Sequence, residues 1–327
     1  MQKLFSFFIA LFIGCSTIAQ VNLDSLWNVW NDEKQADSNR LNSIIDYAWD
    51  GYLFSNPDSA FYFGQLAYDY AVKVGNKKWM AGALNLQAVS FAIRSKNEEA
   101  LKYYHEGLKI QIARNDKKGI YSFYSNIGGI HDEQGNYLKA LEYYRNALKI
   151  AEEIEDLYGI AIIQMNIANI LSDQGKYANA LKTHEKSLKV FEELADSKAM
   201  SDAFINIGQI HINQANFKEA INCFNKTLNI SEEINDQFGK AYAFGCLGLV
   251  YESQGNYEQA LIYNEKSLNI SKGLDDKNQY ASSLVDIARI YKTHRNYEKA
   301  LEFLNRSLTI YTEIENKEGI ADCLNLM

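Results

Sequence analysis

Proline is nearly absent from this 327-residue chain, occurring once, at Pro57. Proline inside a helix costs about 3 kcal/mol, so a chain with a single one is free to form long uninterrupted helices. Histidine is also scarce, with five copies, and neither the histidines nor the four cysteines fall at metal-ligand spacing. No metal and no cofactor is expected on that ground. A Gly-rich phosphate loop, a nucleophile elbow and a metalloprotease motif are all missing, so no catalytic residue is expected either. Basic blocks are lacking too. Lys and Arg number 33 against 41 Asp and Glu, a net charge of −8 spread evenly along the chain. Such a chain has no electrostatic basis for binding nucleic acid, where neutralising phosphates dominates affinity, and none for anionic lipid.

The apolar stretch at the start is short. In MQKLFSFFIALFIGCSTIAQ, Lys3 supplies a positive n-region and Leu4 to Gly14 a largely apolar run of eleven residues. Eleven residues span roughly 16 Å of helix, too little for a bilayer core of about 30 Å. Thr17-Ile18-Ala19 offers small residues where a signal peptidase reads, with Gln20 as the first mature residue. The expectation is a signal peptide over 1–19 and export beyond the inner membrane, periplasmic or secreted, with no membrane insertion of the mature chain. Phe12-Ile13-Gly14-Cys15 keeps a second route open: it resembles a lipoprotein box, in which Cys15 carries a lipid anchor. Cys223, Cys246 and Cys323 read as incidental core or groove residues, with a Cys223–Cys246 bridge as the minor alternative.

What the chain does have is a period. Alanine recurs every 40 residues at Ala60, Ala100, Ala140, Ala180, Ala220, Ala260 and Ala300. A large aliphatic follows in six of the seven, and a leucine stands eight residues on in six, from Leu108 to Leu308. A fixed period of this length signals a stacked repeat architecture. Each unit is helical in pattern. Tyr137, Ala140, Leu141, Tyr144, Ala147, Leu148 and Ala151 share one helix face, and Ile120, Phe123, Tyr124, Ile127 and Gly128 share another. Between them lie Gly135-Asn136, Gly175-Lys176, Ala215-Asn216, Gly255-Asn256 and Arg295-Asn296, where glycine suits a left-handed C-cap and asparagine tolerates it next best. Gly128, Gly208 and Gly248 on the first helices, with the alanines on the second, read as packing anchors where two backbones approach closely.

The spacing of Tyr124, Ile127, Gly128, Ala140, Tyr144 and Ala147 resembles the tetratricopeptide repeat signature, with Tyr251 and Tyr291 at its tyrosine position. The resemblance covers the chain from about residue 40 onward. It departs from the usual pattern in having 40 residues rather than 34 and Glu152 where the terminal proline would stand. It implies an all-α fold, a right-handed superhelical solenoid of about seven antiparallel helix pairs over residues 38–327. Second helices begin near 57, 98, 138, 178, 218, 258 and 298. Leu23, Leu26, Trp27 and Trp30 suit a capping segment over 20–37, and Gly319 to Met327 begins a partial eighth unit in register.

The resemblance also implies a ligand face. First helices of such arrays line a concave groove, and Asn126, Asn166, Asn206 and Asp286 share one position there, with Cys246 interrupting. Asn169, Gln209 and Arg289 follow one turn on. An asparagine amide can pair with a peptide backbone without demanding a sequence. It can equally bond a neighbouring helix or water, and both readings stay open. Ser122, Ile162, Asp202, Tyr242 and Ser282 replace the paired lysines of a carboxylate clamp, which disfavours an acidic-tail ligand. Function is therefore expected to be protein or extended-peptide binding in the groove, as an interaction scaffold or sensor. Asp24-Ser25-Leu26-Trp27 and the longer units also resemble the exported parts of bacterial membrane sensors. The alternative is thus the sensory part of a longer nucleotide cyclase or histidine kinase.

Overall fold

The computed structural model describes residues 22–274 and 276–327. The signal-peptide reading of 1–19, with Cys15, lies outside the described residues. Those described residues hold sixteen helices and no strand. In order they are α1 (Leu23–Asn31), α2 (Asp37–Tyr52), α3 (Pro57–Lys73), α4 (Lys77–Ile93), α5 (Asn97–Arg114), α6 (Lys117–Glu133), α7 (Tyr137–Glu153) and α8 (Leu157–Asp173). Then follow α9 (Tyr177–Glu193), α10 (Ser197–Asn213), α11 (Phe217–Glu233), α12 (Gln237–Ser253), α13 (Tyr257–Gly273), α14 (Lys277–Thr293), α15 (Tyr297–Glu313) and α16 (Lys317–Leu326). None of them is long and apolar enough to cross a membrane. Two compact units divide the chain, one reaching Ile170 and the other running from Leu171 to Met327.

Two 17-residue helices and two three-residue turns make up the 40-residue period, as in α6 and α7. Each helix is therefore about 25 Å long. The turns share one construction. Gly135 takes a left-handed backbone (φ 71°), while its N–H donates to Asp132 O at 2.8 Å and that of Asn136 to His131 O at 2.8 Å. This is a Schellman cap whose last residue already opens the next helix. The left-handed residue recurs every twenty positions, at Gly75, Ser95, Asn115, Gly135, Glu155, Gly175, Ala195, Ala215, Asn235, Gly255, Arg295 and Glu315. Turns between repeats thus match turns within them, although only five of these twelve residues were singled out by the sequence pattern.

After each inter-repeat turn comes an N-cap. Asp116, Asp156, Asp196 and Asp236 accept from the backbone N–H three residues on, at 2.9–3.0 Å. Asp276 and Asn316 do the same for Gln279 and Gly319. A side-chain oxygen here satisfies one of the helix's orphan donors. Asp156 also accepts from the Tyr121 hydroxyl at 2.8 Å, tying one repeat to the next. Burial opposes ionisation of Asp156, but the Gly159 N–H, Tyr121 and Lys118 together hold its carboxyl below the usual range.

In the first unit the core gathers Leu86, Tyr104, Phe123, Ile127 and Ile130 around Ala88 and Ala100. A second layer sets Tyr121, Ala140 and Tyr144 against Ile163 and Ile170 of α8. Its N-terminal edge is closed by α1. Arg40 on α2 donates to Trp30 O at 2.9 Å and to the Tyr70 hydroxyl at 2.6 Å, which donates in turn to Asp37 at 2.6 Å. Its guanidinium also lies over the Trp30 and Tyr70 rings. In the second unit Phe224, Leu247 and Val250 pack about Ala220, and Tyr311 and Cys323 about Ala281.

The alanine series is buried throughout, fully at Ala60 to Ala260 and nearly so at Ala300. Close approach explains the glycines. A Cβ added at Gly128 would stand 2.8 Å from Tyr144, and one at Gly208 2.7 Å from Phe224. At Gly248 it would collide with Asn264. A small first-helix residue therefore faces a large one sixteen positions later on the second helix. The same register on α9 holds His184, fully buried, with neither ring nitrogen hydrogen-bonded.

Candidate ligand-binding face

On the first helices, positions four and seven apart fall on one stripe between buried neighbours. In the second unit this stripe carries Asp202, Asn206 and Gln209 on α10, then Tyr242, Cys246 and Leu249 on α12, then Ser282, Asp286 and Arg289 on α14. Contacts link α10 to α12 and α12 to α14. Two cations stand among its charges. Lys198 donates to Asp236 Oδ2 at 2.7 Å and stands 3.5 Å from Asp202 Oδ1, which accepts no hydrogen bond. Arg289 bridges Asp286 at 2.6 Å and Glu252 at 3.1 Å, and Asp322 on α16 lies within its field. Five carboxylates thus surround two cations.

Burial sets the protonation of these groups. It raises Asp202 to about 6, against the pull of Lys198. It also raises Asp286, Glu252 and Asp322, each partly offset by Arg289. Tyr242 is driven up by burial and then by Cys246, Asp202 and Asp286, so it feels carboxylates on both sides. The Cys246 thiol is raised by burial and by Asp286, which keeps it protonated and poorly nucleophilic. Cys223, Cys246 and Cys323 are all free thiols. Asn206 is 7% exposed, and its Nδ2 meets no acceptor within the protein.

The first unit differs. Asn126 Nδ2 donates to Asn85 Oδ1 at 2.9 Å, and Asn166 Nδ2 donates to Ser125 Oγ at 3.3 Å. Both amides thus turn toward the preceding first helix, one of the two behaviours expected of them. Asn169 is half-buried on α8, one turn beyond Asn166.

Sequence profiles of the tetratricopeptide repeat match residues 121–154, 159–233 and 240–313, together more than half of the chain. The chain belongs to the tetratricopeptide repeat family. Among solved structures, a Rap protein complexed with competence and sporulation factor matches at TM-score 0.64 and 16% identity, over 88% of this chain and 80% of that one. NprR in complex with its cognate peptide NprX matches at 0.64 and 14%, over 90% and 85%. A signal transduction ATPase with a tetratricopeptide repeat sensor from Pyrococcus horikoshii matches at 0.62 and 19%, over 90% of this chain but 43% of that chain. At these identities the likeness is one of fold. No curated protein sequence matches the chain.

Within this tetratricopeptide face the sequence pattern singled out Asn126, Asn166, Asn169, Asn206, Gln209, Asp286 and Arg289, but not their electrostatic partners. Glu252 and Lys198 sit one turn outside the positions considered, and Asp322 lies on α16. The 40-residue register running through Asp202, Tyr242, Ser282 and Asp322 was the signal that could have found the last of these. Among the described residues no group of His, Cys, Asp and Glu is arranged to hold a metal ion.

Proposed function

We propose that this protein is an exported tetratricopeptide module that binds an extended peptide or a partner protein along its first-helix stripes and catalyses no reaction. The observation that carries the reading is Asn206, an amide at the stripe whose donor is left without an acceptor. A buried donor in that state costs about 1–3 kcal/mol, which a ligand carbonyl would recover once the side chain turns outward. The solved complexes of Rap with a signalling factor and of NprR with a peptide support the same use of a similar fold. The protonated Cys246 and the absence of histidine from the stripe favour binding over chemistry. Export rests on the n-region and apolar run of residues 1–19, with cleavage after Ala19 or lipidation at Cys15. The likeness to the Pyrococcus horikoshii ATPase favours a second reading, service as the sensor of a larger signalling protein.

Site-specific photo-crosslinking tests the binding face. Benzoylphenylalanine at Asn169, Gln209 or Leu249 is expected to capture a partner from the exported fraction of the source cells. The same probe at the exposed second-helix Leu138 or at Phe238 is expected to capture none. Capture from Leu138 and Phe238 alone would move the binding surface elsewhere. A fusion of residues 1–40 to alkaline phosphatase tests export: an active enzyme is expected, and an inactive one would refute the leader. The mass of the mature N-terminus distinguishes Gln20 from lipidated Cys15.

A further inference from the structure

The second unit's stripe carries more negative charge than its own cations neutralise, and that excess is placed rather than diffuse. Lys198 is shared: its hydrogen bond goes to Asp236, itself the N-cap of α12 and already accepting from Gly239 N, and it forms an ion pair with Asp202 as well. Asp202 is left with a longer ion pair and an oxygen that accepts nothing. One helical turn further along the same face, the Asn206 amide offers a donor with no taker. Two helices away a single guanidinium serves Asp286, Glu252 and Asp322. Tyr242 stands between these groups, within the field of both Asp202 and Asp286. Buried carboxylates left this short of positive charge gain most from a partner that brings its own.

Resting on the peptide-binding reading above, we infer that the second unit selects a peptide carrying a lysine or arginine side chain: the cation pairs with the Asp202 carboxylate, and a main-chain carbonyl of the same peptide accepts from Asn206 Nδ2. The two contacts have different consequences. A carbonyl is common to every residue, so Asn206 holds the ligand without reading its sequence. The carboxylate reads charge, and the Asp286 cluster adds a field of the same sign that steers a cationic segment along the stripe. A peptide with a glutamate in place of the cation meets like charge on both sides of Tyr242.

The experiment uses the full chain and three fluorescein-labelled pools of random octapeptides. They differ only in a fixed central residue, which is lysine, acetyl-lysine or glutamate. Acetylation removes the charge and keeps the stem. By fluorescence polarisation at low salt, the lysine pool is expected to bind at least about tenfold tighter than the acetyl-lysine pool, with the glutamate pool weakest. Asp202→Asn should bring the lysine and acetyl-lysine pools together, whereas Asn206→Ala should weaken both by the same factor. Equal binding of lysine and acetyl-lysine pools by the unaltered protein overturns the charge selection and leaves peptide binding standing. Binding of no pool removes the peptide reading and this inference with it. The comparison of pools needs no variant, so a substitution that unfolds the protein does not decide the result.

Discussion

His184 makes the stability of α9 depend on pH in a way that can be worked out. Its ring is fully buried, neither nitrogen is hydrogen-bonded, and burial lowers its pKa from 6.5 to about 4. The unfolded chain takes up the proton first. The stability that the neutral ring permits is therefore complete above about pH 6.5 and is lost as the pH falls toward 4. With those two values, moving from pH 7 to pH 5 costs the folded state about 2 kcal/mol, roughly a 20-fold change in an opening equilibrium. His184→Leu removes the proton-binding group and places there the residue found at the same register as Leu304. A repeat array opens unit by unit, so the assay is amide exchange of the α9 backbone rather than a single global transition. After correction for intrinsic exchange, wild-type α9 should lose about 20-fold more protection between pH 7 and pH 5 than the variant does. Comparing the two pH values cancels any constant packing difference made by leucine, and it cancels other titrating groups shared by both proteins. An equal loss of protection in the two proteins would refute the assignment of a neutral, unpartnered imidazole.

Three further predictions concern the turns, the caps and the helix crossings. Ala195→Gly and Ala215→Gly relieve left-handed backbones (φ 52° and 57°) that cost an alanine about 1–2 kcal/mol each, less the added entropy of glycine in the unfolded chain. The double variant should raise the urea midpoint by an amount close to the sum of the singles, and a lowered midpoint would count against strain at these turns. Asp156→Ala leaves both the Gly159 N–H and the Tyr121 hydroxyl without their acceptor and should destabilise the first unit by about 1–2 kcal/mol, read by urea unfolding. Asp156→Asn should restore part of that loss, whereas an unchanged midpoint for Asp156→Ala would deny the cap. Ala180→Leu places three extra carbons at a position with no exposed surface and should cost about 1–3 kcal/mol. A thermal transition matching wild type would show that the crossing has room.

The fold was legible because its anchors are small and periodic. Ala100 to Ala300 and Gly128 to Gly248 leave little room for anything larger, and so they recur at fixed spacing. The N-caps were less visible. Asp116, Asp156 and Asp236 sit among other acidic residues at helix ends, and only the backbone geometry separates a capping carboxylate from a solvated one. The candidate ligand face was least legible. An asparagine on a half-buried stripe has the same sequence signature whether it bonds a neighbouring helix, as Asn126 and Asn166 do, or keeps its donor unspent, as Asn206 does. Distances to Asn85 and Ser125 decide between those fates, and residues 40 apart in sequence do not reveal them. The charge excess near Arg289 was hidden for a related reason, since Glu252 and Asp322 belong to different repeats and different helix positions.

The left-handed residue that returns every twenty positions makes the half-repeat, rather than the repeat, the unit of backbone grammar. From α3 onward the described junctions are short hinges with that left-handed residue, whether they join partners within a pair or one pair to the next. Excision or duplication of a 40-residue block can therefore cut at either kind of hinge and reseal with an identical joint. An insertion of a few residues inside a helix, by contrast, rotates everything beyond it out of phase with the stripe. Length variation in such a protein is quantised by its hinges, and the first-helix stripe lengthens or shortens in whole steps with its register preserved.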